Sequence, residues 1–494
     1  MDLAWGEGLG EESKGLDIVG VRGLDQSFEA ALVNGITTIS LRGRYLTLLP
    51  WAIGEFFAAE AVAEATEFAP ARLRAFLARV EFLTLACTTL DPGSGDPGGA
   101  LGRLIYQRDM ADLTAGEPAA FPTGSGVGML GTYFGPCRAL GLVRSESGLA
   151  APFVLTPRGQ AVWDARKAAL GDGYWRTLLW DAERLGVVEA RALVPHFSLK
   201  RLGEADGEAA ALREALLTPW SPAGPAAASV TRSYGRFAQT IAWLQAQATS
   251  APLRADALLA EVWRTLALGE GGDADVEECW AEYEWRRRLH FALELILSAV
   301  ADTVRAGGAA TLPEVVAEWL SEPDLPPHLT DAWPQAALAS ARSGQGAFAS
   351  VPTDLFLAEA PPNGLARLRP HARALSAFAL VSGLAVQSRD LRAAGRFQDR
   401  AAPGERALAC VEGAGEESFA ETLHQLADTA VQAHLATTFR KMGGGQKCSL
   451  RLFPEGSRFL TTDLDTGAGR SGSRLSNVIK VLEDAAVPHI GASA

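Results

Sequence analysis

Apolar residues recur three or four positions apart through Ala-, Leu- and Arg-rich stretches at 51–87, 159–190, 208–217, 231–248, 277–305, 364–395 and 416–441. That spacing lines one face of an α-helix. Strand-like patterning is confined to three short runs, 153–156, 449–453 and 458–462. A chain patterned this way has no material for a large sheet, so the expected class is mainly α, with short β-hairpins. At 494 residues it is about three times the usual domain length near 150, which predicts a multi-domain helical protein. Pro- and Gly-rich breaks at 91–100, 115–128, 203–229, 269–278 and 321–346 punctuate the helices. They suggest an N-terminal helical domain at 1–128, a small module at 129–202, a helical middle region at 203–415 and a C-terminal segment at 416–494.

Charge and cysteine usage narrow the classes. With 45 basic and 58 acidic residues the formal charge is −13, so the whole molecule is no polycation that coats nucleic acid or acidic membranes, and any such contact must be a local patch. Cys87, Cys137, Cys279, Cys410 and Cys448 are odd in number with no close pair. They fit neither a disulfide framework nor a zinc knuckle, and a reducing cytoplasm is the expected compartment. Residues 1–12 lack the basic start and apolar run of a secretory leader. The longest apolar stretch, 374–386, is shorter than the roughly 18–20 residues of a membrane span.

Around Pro50, Asn34-Gly35 reads as a turn and the run 36–51 as a helix that Pro50 should kink. Arg42, Arg44 and Tyr45 precede the apolar turn 46–51, either as a polar site or, preferably, as buried groups that fix packing. Further on, 132–143 reads as a short helix ending at Gly141. A polar turn at 145–148 follows, and then Leu155-Thr156-Pro157-Arg158-Gly159 feeding a helix at 160–170. Thr156 can cap that helix with Pro157 at its first position. This order resembles the wing and last helix of winged-helix modules of the bacterial regulator type. The resemblance implies either duplex DNA contact, with Arg138, Arg144 and Arg158 on phosphates, or an architectural docking block.

The C-terminal region runs from a long amphipathic helix at 416–442 through a hairpin turned at Pro454-Glu455-Gly456 to a last helix at 473–485. Its apolar face is Leu475, Val478, Ile479 and Leu482. Arg474, Asn477 and Lys480 fall on another face and are types able to read base edges. Between 440 and 480 eight cations (Arg440, Lys441, Lys447, Arg451, Arg458, Arg470, Arg474, Lys480) stand against Glu455, Asp463 and Asp465. That local excess within an acidic chain points to an anionic partner or to a solvated surface. It also makes a second winged-helix-like module a candidate here.

Catalytic signatures fail one by one. The glycine run at 124–128 has no Lys, and the one at 443–447 has Gln446 and Cys448 where a phosphate loop needs Gly and Ser or Thr. No Ser lies in Gly-x-Ser-x-Gly. Glu421 and His424 lack the second pair of a di-metal bundle, and their stripe with Glu417 and Asp428 reads as a solvated face. In 282–290, Arg286 is separated from His290 by three residues, too few for a helical ribonuclease pair, so a salt-bridged helix start is the better reading. His196, His328, His371, His434 and His489 stand alone.

Taken together, Arg42-Gly43-Arg44-Tyr45, Leu155-Thr156-Pro157-Arg158-Gly159 and the late Arg440-Lys441-Met442 with Ser449-Leu450-Arg451-Leu452-Phe453-Pro454 resemble a poorly characterised group of bacterial defence-island proteins with winged-helix-like modules. The resemblance implies a cytoplasmic accessory subunit of a DNA-directed antiviral system. Such a subunit would bind duplex DNA or a DNA-acting protein in a multi-protein complex, without membrane, metal or cofactor. A metal-dependent nuclease with scattered acidic residues and a pure protein scaffold are the alternatives.

Overall fold

In the computed structural model the described residues are 17–62, 69–93, 98–124, 128–145, 152–220, 227–248, 252–267, 275–322, 363–393, 403–413, 419–444, 449–464, 466–469 and 472–490. The protein is mainly helical, and the sheets among the described residues are small and two-stranded. Its chain divides into two compact units. One comprises 1–28 and 259–471, the other 29–258 and 472–494. The segment 416–494 therefore belongs to both: its long helix and hairpin to the first unit, its last helix to the second.

The second unit begins with the end of α1 (Arg22–Val33) and continues through α2 (Tyr45–Val62), α3 (Pro70–Leu90), α4 (Gln107–Ala115) and β1 (Ala119–Ala120). Next come α5 (Met129–Ala139), β2 (Val143–Ser145), β3 (Phe153–Leu155), α6 (Pro157–Leu170), α7 (Trp175–Trp180), β4 (Arg184–Leu185), α8 (Val187–Ala192) and α9 (Val194–Phe197). A 3₁₀ turn (Leu199–Glu204), α10 (Asp206–Leu217) and α11 (Ala227–Gln247) complete it up to the shared α12 (Ala255–Ala267). Residues 36–44 are turns, not helix, and α2 starts at Tyr45, so Pro50 sits inside it. Proline at 50 leaves the Leu46 carbonyl without its i+4 donor. The buried Cys137 thiol donates to that oxygen at 3.7 Å, so α5 caps a defect in α2. Around these helices Trp51 meets Trp175 at 5.2 Å and Phe197 at 5.5 Å, forming an aromatic core.

The first unit contains α13 (Asp275–Gly307), α14 (Leu312–Ser321), α15 (Asn363–Ala366), α16 (Pro370–Ala393), α17 (Pro403–Gly413) and α18 (Phe419–Gly443), followed by β5 (Leu452–Glu455) and β6 (Arg458–Thr461). α13 lies along α16, while α17 and α18 close the bundle. Its core runs from Val19 through Ile296, Val300, Phe378 and Leu426 to Leu452. A capping box at Thr311 and Glu314 starts α14, satisfying two backbone donors reciprocally. The β5–β6 hairpin pairs Glu455 with Arg458 across its turn, as the pattern around Pro454 predicts.

Candidate functional site

The segment from α5 to α6 folds as helix, two-stranded antiparallel hairpin, helix, with Val143 opposite Leu155. Thr156 caps α6 by accepting from the Gly159 N–H at 3.2 Å, with Pro157 in the first turn. Glycine is required at 159 because a Cβ there would stand 1.9 Å from the Leu142 carbonyl oxygen. Gly141 has φ +68° and the Trp220 ring pressed against it, which fixes the entry to the hairpin. These are the local features that the Leu-Thr-Pro-Arg-Gly sequence predicts.

The three arginines of this segment have different fates. Arg138, in the last turn of α5, and Arg144, on β2, are exposed. Arg158 instead donates to the carbonyls of Ala215 (3.3 Å), Thr218 (2.7 Å) and Pro219 (2.9 Å) and to the Tyr234 hydroxyl (3.0 Å). It thereby satisfies orphan carbonyls at the C-terminus of α10, a structural task for a cation.

The late cations are also largely engaged in the fold. In the first unit, Lys441 donates to the Asp17 carbonyl, and burial lowers its pKa. Arg451 is buried, and its backbone N–H donates to His434. Arg458 donates to the Ala309 carbonyl at 3.0 Å and lies 3.4 Å from Glu314. Arg440 is exposed.

The last helix, α19 (Leu475–Asp484), belongs to the second unit, and there Arg474 lies 3.4 Å from Glu29. Asn477 is buried and donates to the Thr37 carbonyl at 2.7 Å. Lys480 is exposed beside Glu483 and Asp484. The face that carries Arg474, Asn477 and Lys480 is thus not a free reading face, because two of its three polar side chains point into the protein. Lys447 and Arg470 lie outside the described residues.

Periodicity could not reveal the buried ionic clusters. In the second unit, Arg44, fully buried, and Arg166 flank Glu208: Arg44 Nη2 is 3.0 Å and Arg166 Nη1 2.5 Å from the carboxylate, and the Thr47 hydroxyl also donates to it. Burial acts to raise the Glu208 pKa, but the two guanidinium charges and their hydrogen bonds prevail and take it down to about 2. Arg166 stacks over Trp51 at 4.9 Å. Arg42 grips Asp484 through Nε at 2.9 Å and Nη2 at 3.2 Å. Arg42, Arg44 and Tyr45 are therefore packing groups, the preferred of the two sequence readings.

In the first unit, residues 282–290 lie within the long α13 rather than at a helix start. Arg286 pairs with Glu282 at 2.8 Å. His290 is caged, with Nδ1 3.0 Å from Asp25 and Nε2 3.1 Å from Glu294. Burial alone would discharge this ring, but the two carboxylates raise its pKa to about 10. His434, isolated in the sequence, is a two-sided clamp: Nδ1 contacts the Ile18 carbonyl at 2.9 Å and Nε2 accepts from the Arg451 N–H at 2.9 Å. Burial lowers its pKa to about 4, keeping the ring neutral.

No group of three or more His, Cys, Asp and Glu side chains among the described residues could hold a metal ion. Cys87 and Cys137 are fully buried, and burial raises both thiol pKa values, which suppresses the reactive thiolate. Glu421 is exposed, His424 and Asp428 are half-buried, and Glu417 lies outside the described residues. No helix among the described residues is long and apolar enough to cross a membrane.

One surface feature has no sequence signal. Leu104 (86% exposed) and Ile105 (67%) sit on one turn, and Ile39 (58%) and Leu41 (38%) are exposed on the segment before α2. The two segments are tied together: the Leu101 N–H donates to the Tyr45 hydroxyl at 3.0 Å, Gly99 packs on Leu41, and Arg42 donates to the Gly98 carbonyl at 3.5 Å. No known protein family, curated protein or solved structure matches this chain.

Proposed function

We propose that this chain is a non-catalytic accessory subunit that docks a protein partner, in the DNA-directed defence setting that the sequence resemblance implies. The carrying observation is that Ile39 and Leu41, and Leu104 and Ile105, are exposed aliphatic side chains on two mutually braced segments. Apolar side chains held rigidly at a surface mark protein interfaces and offer nothing to a phosphate backbone. Arg103 and Arg108, exposed on the same turn and helix start, supply the polar rim that such interfaces carry. Engagement of Arg158, Lys441, Arg451 and Arg474 within the fold leaves direct DNA binding with less material, while Arg440, Arg458 and Lys480 stay exposed.

A second reading, duplex binding by the α5–hairpin–α6 segment, is favoured by the exposure of Arg138 and Arg144. Salt dependence separates the two, because each phosphate contact adds about 0.9 to the slope of log affinity against log salt. The docking reading expects no salt-dependent duplex binding. It also expects a partner copurified from host cells to be lost with Leu104→Glu/Ile105→Glu and kept with Arg138→Gln/Arg144→Gln. The reverse pattern, or self-association through the Leu104 turn in sedimentation, overturns it.

A further inference from the structure

A cleft of about 560 Å³ opens in the second unit where the end of α3 meets α8, α9 and the 3₁₀ turn after them. Its size falls in the range of about 300–1,000 Å³ typical of small-molecule sites. Leu90, Pro92, Val194 and Pro195 make its apolar walls. Arg191, Arg201 and Glu204 are its charged groups.

The two arginines differ in what they can still do. Arg201 takes Asp91 through Nε and Nη2 at 3.0 and 2.8 Å and Glu204 through Nη1 at 2.8 Å, so its donors are taken and its single charge faces two carboxylates. Asp91 also accepts from the Ser198 hydroxyl at 2.6 Å. Arg191, exposed near the end of α8, makes no hydrogen bond or ion pair among the described residues. Of the two, Arg191 alone keeps free donors beside the apolar walls.

Those walls are held from behind. The Pro195 carbonyl accepts from Arg44 Nη2 at 2.9 Å, and the Lys200 ammonium donates to the Gly93 carbonyl at 2.9 Å. A preformed site loses little in ordering when a ligand enters.

The geometry points to this cleft as a binding site for a small monocarboxylate with a compact apolar body, its carboxylate on Arg191 and its body against Leu90, Pro92, Val194 and Pro195. The planar guanidinium matches a carboxylate through two parallel hydrogen bonds. A phosphate dianion or nucleotide suits the site less, because Glu204 faces the same space.

The test is calorimetric titration of the full chain with 2-naphthoate and with its neutral counterpart 2-naphthamide. The expected result is about tenfold tighter binding of the carboxylate, the scale of a hydrogen-bonded charge. Arg191→Gln should reduce naphthoate affinity about tenfold while leaving the amide unchanged, and Arg191→Lys should restore part of the difference. Arg138→Gln, a surface arginine elsewhere, should change neither. Equal affinity for the two probes, equal effects of Arg191→Gln and Arg138→Gln, or no binding at millimolar concentration overturns the proposal.

Discussion

The two units bury charge with different mixtures of groups. The 29–258 and 472–494 unit uses permanent cations: Arg44 and Arg166 on Glu208, and Arg42 on Asp484. The 259–471 unit, with its N-terminal segment, also buries arginines, Arg287 and Arg288 on Glu284, and adds titratable histidines: His290 between two carboxylates and His434 between two backbone groups. Arginine stays charged at any ordinary pH, whereas a histidine is poised near neutrality until its surroundings move it. Both units should therefore answer to the loss of a partner, and the one with the buried histidines to pH as well.

The largest expected effect belongs to the arginine unit. Glu208→Gln leaves two buried guanidiniums facing a neutral amide, and breaking a buried pair from one side costs about 3–5 kcal/mol. Urea denaturation read by hydrogen exchange in α2 and α10 should show a loss of that order, with α18 in the other unit unaffected. A cost below about 1 kcal/mol would mean that water reaches the cluster and that the contrast between the units is false.

Next in size is the pH response of the histidine unit. The folded pKa of His434 is lowered to about 4, below the unfolded value near 6.5, so between these values the unfolded chain binds more protons. Its contribution is complete above pH 6.5 and lost as pH falls toward 4, about 3 kcal/mol by the linkage relation. His290 has the opposite sign. Its folded pKa is raised to about 10, so its contribution is complete below pH 6.5 and lost as pH rises toward 10. Asp25, whose pKa burial raises, opposes His434 in the acid range. The clean measurement is thus the stability difference between wild type and His434→Gln across pH 4–7. A flat difference would remove His434 from the comparison, and an acid response in α2 equal to that in α18 would remove the comparison itself.

How much of this was legible follows from what each feature depends on. Thr156, Pro157 and Gly159 act within one helical turn and one hairpin, so their roles can be read from neighbours in sequence. The same holds for the Pro454-Glu455-Gly456 turn and for the burial of Arg42, Arg44 and Tyr45, which adjoin an apolar run. The histidine cages could not be read, because Asp25 and His290 are 265 residues apart, and His434 and Ile18 416 apart. The late cations misled for a related reason. Charge counting over 440–480 treats side chains as solvated, yet Arg474 and Asn477 meet Glu29 and Thr37 from the other end of the chain.

A smaller effect checks whether the helix–hairpin–helix segment is rigid by local design. Thr156→Ala removes the cap on the Gly159 N–H and should cost about 1 kcal/mol at any pH between 5 and 8. Its independence of pH matters, since it places α6 with the arginine unit in behaviour as well as in sequence. A pH-dependent cost would point to a titrating neighbour and blur the division.

The smallest effect separates burial from charge most directly, because one carboxylate serves two cations. Asp484 receives Arg42 in a two-pronged contact with both side chains under 10% exposed, and Lys480 at 3.4 Å with the lysine 46% exposed. Lys480→Gln should cost less than about 0.5 kcal/mol, since an exposed pair gains little against water and side-chain entropy. Arg42→Gln should cost several times more, because it strips both hydrogen bonds from a buried acceptor and leaves the Leu199 carbonyl without its 2.7 Å donor. The acceptor and the unit are shared, so the main differences are the solvation of the cation and the carbonyl contacts that Arg42 also makes. Equal costs for the two substitutions would mean that the number of charges at Asp484, and not their burial, sets the strength of the arginine unit.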